Sequence, residues 1–239
     1  GIFSKFPATH EYMGSETISR LLDWREKKIT SQQLIAFLHE RDSAAGHFID
    51  SATFFFLPPE VVIPAFPDAK YFLSLRDCES WIISLVDLES RVLNPDTIAH
   101  STINIQNHER YAKVFSPKFS LKIFADRKRI SANLQPILAD LAQFWSLYTI
   151  KILEEMIKLP SAQRLVIRLA EFNNALPKIA AFAGVKTSDL DLHNVHLNRD
   201  IAYEKIRKEL GLLNLRKIAR PHEELVDAWL KAHQKEMAR

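Results

Sequence analysis

An arginine and a serine in the first half of the chain could together hold a phosphate group. Arg76 ends an apolar and aromatic run, and Ser84 follows it by eight residues within a stretch of helical periodicity. A guanidinium group offers a planar fork of donors to an anion, and a hydroxyl one or two helical turns later can add another donor. By spacing alone, a surface ion pair for Arg76 and an ordinary helix position for Ser84 are the favoured interpretation.

The stretches around this pair alternate between short apolar runs and helical patterns. This alternation predicts an α/β fold that is helix-rich and has a mainly parallel sheet flanked by helices. In such sheets ligands bind at the carboxyl ends of the strands, which is where Arg76 stands. The predicted strands are 47–51, 70–75 and 165–167, and the predicted helices are two opened by Ser15 and Ser31, then 79–91 and 174–182.

Two further regions are predicted to be helical. The middle third, about 95–159, shows no convincing strand and is broken by Pro117 and Pro136. The last stretch predicts two charged amphipathic helices separated by 211–221, with Trp229 anchoring the second.

Composition limits the class of protein. A chain of 239 residues favours one domain, or one domain with an appendage. The net charge of +3 is too small to demand a nucleic-acid partner, and the single cysteine, Cys78, excludes an intramolecular disulfide. Prolines interrupt the most apolar stretch, so we expect no integral membrane segment. The lone cysteine and the lack of a signal segment favour a cytoplasmic location.

The segment around Arg76 also resembles a known family. Residues 66–85, FPDAKYFLSLRDCESWIISL, resemble the sulfotransferases that use 3'-phosphoadenosine 5'-phosphosulfate as sulfuryl donor. In that family a strand ending in arginine, a turn, and a helix bearing serine bind the 3'-phosphate of the nucleotide. The resemblance implies that Arg76 and Ser84 are these two ligands, with Cys78 standing where proline is common.

Two other stretches agree with the family in order and spacing. Residues 164–185 look like its late strand, acidic helix start and FLG-like end, and residues 2–13 are similar to the segment after the first helix in carbohydrate and tyrosyl-protein sulfotransferases. The resemblance therefore covers about 1–185. It implies a single sulfotransferase-like domain over 1–239, with a three-layer architecture and with 95–159 on the acceptor side.

The resemblance also suggests a catalytic base. In those enzymes a glutamate in the opening segment removes the acceptor's proton, which makes Glu11 the first choice, His10 the second and Glu16 the third. Without the resemblance, Glu11 would be interpreted as a solvated loop acid and His10 as a local hydrogen-bonding residue. Asp50 and Ser51 would line the same cleft, although a turn cap at a strand end explains them equally well.

Two loops of the family bind the nucleotide. A late basic loop contacts the 3'-phosphate, and Arg216 and Lys217 are its counterpart by resemblance. The 5'-phosphosulfate loop has a Gly-Thr-Thr-like sequence, which occurs nowhere in this chain. We expect that loop and the first strand to lie before Gly1 or to have been lost.

The function implied by the resemblance is transfer of a sulfuryl group to a hydroxyl or amine of a small-molecule or carbohydrate acceptor, with no metal. The alternative is a non-catalytic nucleotide-binding or scaffold protein with a degenerate sulfotransferase fold. A kinase relative ranks last, because the chain has neither a Walker lysine motif nor a clear Mg²⁺ aspartate. His193 and His196 have a metal-ligand spacing, but surface histidines are the commoner outcome.

Overall fold

The computed structural model describes the chain in several ranges, which together form two compact units. The described residues are 3, 5–10, 12–46, 49–51, 58–92, 105–119, 134–191, 208 and 214–238. The first unit consists of Gly1–Arg76, Lys151–Asn198 and His233–Arg239, and the second of Asp77–Ile150 and Arg199–Ala232.

Helices dominate both units. In chain order they are α1 (Gly14–Arg25), α2 (Ser31–Ala45), α3 (Pro59–Ala65), α4 (Cys78–Val92), α5 (Ile105–Phe115), α6 (Leu138–Met156), α7 (Leu176–Ala183), α8 (Leu215–Ala232) and α9 (Gln234–Ala238). Within the described part of the middle third, α5 and α6 confirm the helical prediction.

The first unit contains two parallel strand pairs. Strand β1 (Ala8–His10) pairs with β2 (Ile49–Ser51), and β3 (Tyr71–Leu75) pairs with β4 (Arg164–Arg168). Three of these strands match the predicted runs, so the helix-rich α/β class with parallel strands is confirmed. Among the described residues the strands form two separate two-stranded sheets, so a continuous three-layer sheet stays a prediction.

Helix α2 begins with a complete capping box at Thr30. The Thr30 side chain accepts a hydrogen bond from the Gln33 backbone N–H at 3.2 Å, and the Gln33 side chain accepts one from the Thr30 N–H at 2.8 Å. This arrangement satisfies two N–H groups that the first turn leaves without an intrahelical partner. The predicted cap at Ser15 is wrong by two positions, since α1 begins at Gly14 after Met13 in a left-handed conformation.

The amino-terminal edge of the β3–β4 pair binds the carboxyl ends of helices. The Tyr71 hydroxyl lies 3.0 Å from the carbonyl oxygen of Phe66, just after α3, and donates to it. Burial raises the pKa of Tyr71 to about 12, so the hydroxyl stays a protonated donor. Lys70 binds the carbonyl oxygen of Phe182 near the end of α7 over 2.8 Å. Both contacts satisfy carbonyl groups that a helix end leaves without an intrahelical partner.

Arg164, the register partner of Tyr71, makes the same kind of contact with two further helices. Its Nη1 donates to the carbonyl oxygens of Met156 at 3.1 Å and Leu159 at 2.6 Å, where α6 ends. Its Nη2 donates to the carbonyl oxygen of Glu236 in α9. The side chain is buried, and a positive charge at helix carboxyl ends complements the helix dipole.

Apolar side chains cover one face of β4 and pack it against α7. The buried residues Leu165, Ile167 and Ile179 form this cluster, and Phe72 and Phe172 pack against it. Alternate residues of a strand point to the same side, which explains why Leu165 and Ile167 share it. The cluster packs β4 and, through Phe72, β3 against α7.

The second unit has an aromatic core between α4, α5 and α6. Phe144 of α6 stacks on Trp81 of α4 with ring centroids 6.0 Å apart and meets Phe115 of α5 edge to face at 4.8 Å. Asp77 caps α4, because its carboxylate accepts the Ser80 N–H at 2.8 Å. The aromatic contacts hold α4 in place within this unit, and the Asp77 cap marks where the helix begins.

Helix α8 corrects one prediction. The sequence predicts a break over 211–221, whereas the helix begins at Leu215 and continues through Pro221. A proline removes the bond to the carbonyl four residues earlier, which belongs here to Lys217. Both residues are exposed, so water can bind the freed carbonyl group.

None of the helices in the described ranges is both long enough and apolar enough to cross a membrane.

The contacts of Arg164 predict a large effect on stability. The variant Arg164→Leu removes the donors to the buried carbonyl of Met156 and to the part-buried carbonyls of Leu159 and Glu236. We therefore expect a loss of about 2–4 kcal/mol in unfolding free energy, measured by thermal and urea unfolding. Lys158→Leu is the control, since Lys158 is exposed and its ion pair among the described residues is with Glu155 at 2.6 Å. That variant should lose less than about 1 kcal/mol. Equal losses in both variants would contradict the capping role.

Candidate functional site

Two arginines lie at the carboxyl edge of the β3–β4 pair. Leu75 and Arg168 are register partners at the end of the two strands, and Arg76 follows Leu75 directly. Arg76 is half-buried, and no hydrogen bond or ion pair of its side chain is found within the part of the chain that the structure describes. A guanidinium group at a strand end can offer paired donors to an anion, which makes Arg76 the candidate ligand at this edge.

The two predicted phosphate ligands lie in the elements predicted for them. Arg76 follows β3 as the last residue of the first unit, and Ser84 is a half-buried residue of α4 in the second unit. The prediction of a strand end for one and a helix for the other is therefore confirmed. Their joint contact with a phosphate stays a prediction.

The carboxyl edge of the β1–β2 pair brings together part of the predicted acceptor cleft. His10 and Ser51 are register partners at the ends of their strands. Glu11 follows β1 but lies outside the described residues, and the structure describes only the backbone of His10. Glu16 is exposed in the first turn of α1. The roles of Glu11 and His10 as bases stay predictions.

Asp50 already has a structural partner that sequence reasoning missed. Its carboxylate lies 2.5 Å from Nη1 of Arg41, a buried residue of α2. Arg41 also donates from Nε to the Tyr12 carbonyl oxygen at 3.0 Å, and its guanidinium lies 5.6 Å from the centre of the Tyr12 ring. The ion pair ties β2 to the segment after β1, which favours a structural role for Asp50.

The predicted late basic loop is the first turn of a helix. Arg216 and Lys217 follow Leu215 at the beginning of α8, so the expectation of a loop is wrong for these two residues. Nη1 of Arg216 lies 2.8 Å from Oε2 of Glu223 and 3.5 Å from Oε2 of Glu79. The spacing of seven residues explains the first pair, since it amounts to two helical turns. Arg216 and Lys217 as phosphate ligands stay predictions.

An open cavity lies beside these residues within the second unit. Its volume is about 630 Å³. It is lined by Glu79, Asn214, Arg216, Lys217, Arg220, Pro221 and Glu224. Since three of these side chains are cationic and each acid that lines the cavity has a basic partner, an anionic ligand would have to compete with ion pairs already present.

Cys78 is buried at the first position of α4 and is a poor nucleophile. Burial raises the pKa of its thiol, and the negative charges of Glu223, Asp77 and Glu79 raise it further, against a smaller opposite effect of Arg216. Because the thiolate is the reactive form, the side chain behaves as a packed apolar group.

A metal site gains no support within the described ranges. They contain no group of three or more histidine, cysteine, aspartate or glutamate side chains that could hold an ion. His193 and His196 lie outside the described residues.

Comparison with known proteins gave no relative. No family model, no curated protein and no solved structure matches the chain.

The environment of Cys78 predicts its reactivity. In the folded protein at neutral pH, alkylation by iodoacetamide should be slower than in the urea-unfolded chain by about a hundredfold or more, because both access and thiolate formation are suppressed. Mass spectrometry of the modified peptide over time measures the two rates. Alkylation of the folded protein at the unfolded rate would show that the thiol is neither buried nor held protonated.

Proposed function

We propose that this protein is a sulfotransferase that moves a sulfuryl group from 3'-phosphoadenosine 5'-phosphosulfate to a hydroxyl or amine. One observation carries the proposal. The two segments that resemble the family, 66–85 and 164–185, are far apart in sequence, and their strands are parallel neighbours that end side by side at Leu75 and Arg168. This pairing supports the proposal, because the two segments lie far apart in the sequence and local patterns do not show which strands are neighbours.

The carboxyl edge of β3–β4 has the chemistry of a 3'-phosphate site. Arg76 stands one residue after the paired strand ends, and a guanidinium group binds phosphate oxygens through two parallel N–H donors. Ser84 is added by the resemblance and would donate its hydroxyl hydrogen to the same group. A three-layer sheet, as in the family, completes the proposed architecture.

Sulfuryl transfer needs a base that removes the acceptor's proton and a sulfur atom that the acceptor can approach. The acceptor oxygen or nitrogen loses its proton to Glu11, or to His10, and forms a bond to sulfur. The bond between sulfur and the bridging oxygen of the 5'-phosphate breaks, and the electron pair leaves on that oxygen as adenosine 3',5'-bisphosphate. The acceptor is a small molecule or a carbohydrate, bound on the side of the helical region 95–159.

A second candidate is a non-catalytic nucleotide-binding or scaffold protein. It is favoured by the absence of a Gly-Thr-Thr-like sequence anywhere from Gly1 to Arg239. Without backbone donors around the 5'-phosphosulfate, the transferring charge would lack its main stabilisation. Such a protein would bind adenosine 3',5'-bisphosphate and transfer nothing.

The Arg76→Ala variant tests nucleotide binding, which both candidate functions require. At about a hundred times its dissociation constant, adenosine 3',5'-bisphosphate should stabilise the wild type by about 2.7 kcal/mol, which raises the thermal midpoint by several degrees. Arg76→Ala should lose this shift. Lys178→Ala removes an exposed charge from α7 and should keep it.

Adenosine 5'-diphosphate serves as the ligand control, because it lacks the 3'-phosphate. A shift of equal size with both nucleotides, or one that survives in Arg76→Ala, would contradict the proposed phosphate site.

The Glu11→Gln variant distinguishes a sulfotransferase from a non-catalytic scaffold protein. Glu11→Gln should lower kcat by about 10²–10⁴-fold, because the amide cannot accept the acceptor's proton, while binding of adenosine 3',5'-bisphosphate stays unchanged. Transfer of radiolabelled sulfate to a panel of phenols, amines and sugars measures the rate. Glu40→Gln, which neutralises an exposed glutamate of α2 outside the candidate site, is the control and should keep it. Full turnover in Glu11→Gln would exclude Glu11 as the base.

A further inference from the structure

Glu223 occupies a position in the second unit where an anion could bind. Oε1 of Glu223 accepts the backbone N–H of Glu79, in the first turn of α4, at 3.3 Å. Oε2 of the same carboxylate lies 2.8 Å from Nη1 of Arg216. One carboxylate therefore bridges a helix amino terminus and a guanidinium group.

These are the contacts that a bound phosphate would make. The amino terminus of a long helix offers free N–H groups and a positive dipole end, and arginine offers charged donors beside it. The side chain of Glu223 is only 15% exposed, whereas that of Arg216 is 63% exposed. The carboxylate is therefore covered, and Arg216 lines the cavity. A phosphate reaching Arg216 from the cavity would meet this carboxylate.

We infer that Glu223 is a built-in competitor for the phosphate of the nucleotide, and that it weakens nucleotide binding by holding Arg216. The inference rests on the proposed function and on the sequence resemblance, which makes Arg216 a further ligand of the 3'-phosphate. When the nucleotide binds, Arg216 exchanges the Glu223 carboxylate for a phosphate oxygen. Glu79 is a weaker second competitor, since its Oε2 lies 3.5 Å from Nη1 of Arg216.

The pair of Arg220 and Glu224 provides a matched control on the same helix. Arg220 Nε lies 2.8 Å from Glu224 Oε1, and both side chains are largely exposed. Neutralising Glu224 changes the net charge by the same amount as neutralising Glu223 but leaves the contacts of Arg216 intact.

The experiment measures the dissociation constant of adenosine 3',5'-bisphosphate by calorimetry. Glu223→Gln keeps the size and the carbonyl acceptor of the side chain but removes its charge, so binding should tighten by about threefold or more relative to Glu224→Gln. Adding Arg216→Ala to Glu223→Gln should abolish the gain. Thermal unfolding of each variant without nucleotide checks that it is folded.

The outcomes separate this inference from the proposed function. If Arg76→Ala loses binding while Glu223→Gln and Glu224→Gln bind equally well, the nucleotide site stands and the competitor role of Glu223 is wrong. A gain that persists in the Arg216→Ala double variant would equally contradict it. If neither the wild type nor Glu223→Gln binds the bisphosphate, both the proposed function and the inference fail.

Discussion

The hydrogen bonds between the amino edge of β3–β4 and the carboxyl ends of helices are the interaction on which the first unit depends. Lys70, Tyr71 and Arg164 each bind carbonyl groups at a helix end. The contacts of Arg164 and Tyr71 are buried or part-buried, where a carbonyl group without a donor is costly, so these two residues hold the strands to the helices around them. Their clustering also assigns this edge of the strand pair to stability.

The opposite edge is then left for ligands. The helix carboxyl ends gather at the amino edge, and Arg76 and Arg168 lie at the carboxyl edge. The division matches the general rule for α/β proteins, in which binding occurs where parallel strands end. The proposed phosphate site follows from this polarity, and the identity of the nucleotide comes from the sequence resemblance.

The sequence predicted those parts of the fold that local patterns determine. The runs 70–75 and 165–167 were apolar enough to be recognised as strands, whereas β1 was missed because Ala8-Thr9-His10 contains no apolar run. The break before Pro221 was predicted wrongly, since an exposed helix tolerates a proline that local rules treat as a stop.

The candidate site was predictable to a smaller extent. The elements that carry Arg76 and Ser84 were predicted correctly because a strand end and a helix are both local features. The bond between Glu223 and the backbone of Glu79 joins residues far apart in sequence. No local pattern reports such a contact.

The most direct test of the central claim is calorimetric titration of the wild type with adenosine 3',5'-bisphosphate and with its 2',5' isomer, which carries the same charge. The account predicts that the 3',5' compound binds about tenfold tighter or more, and equal affinities or no binding would contradict it.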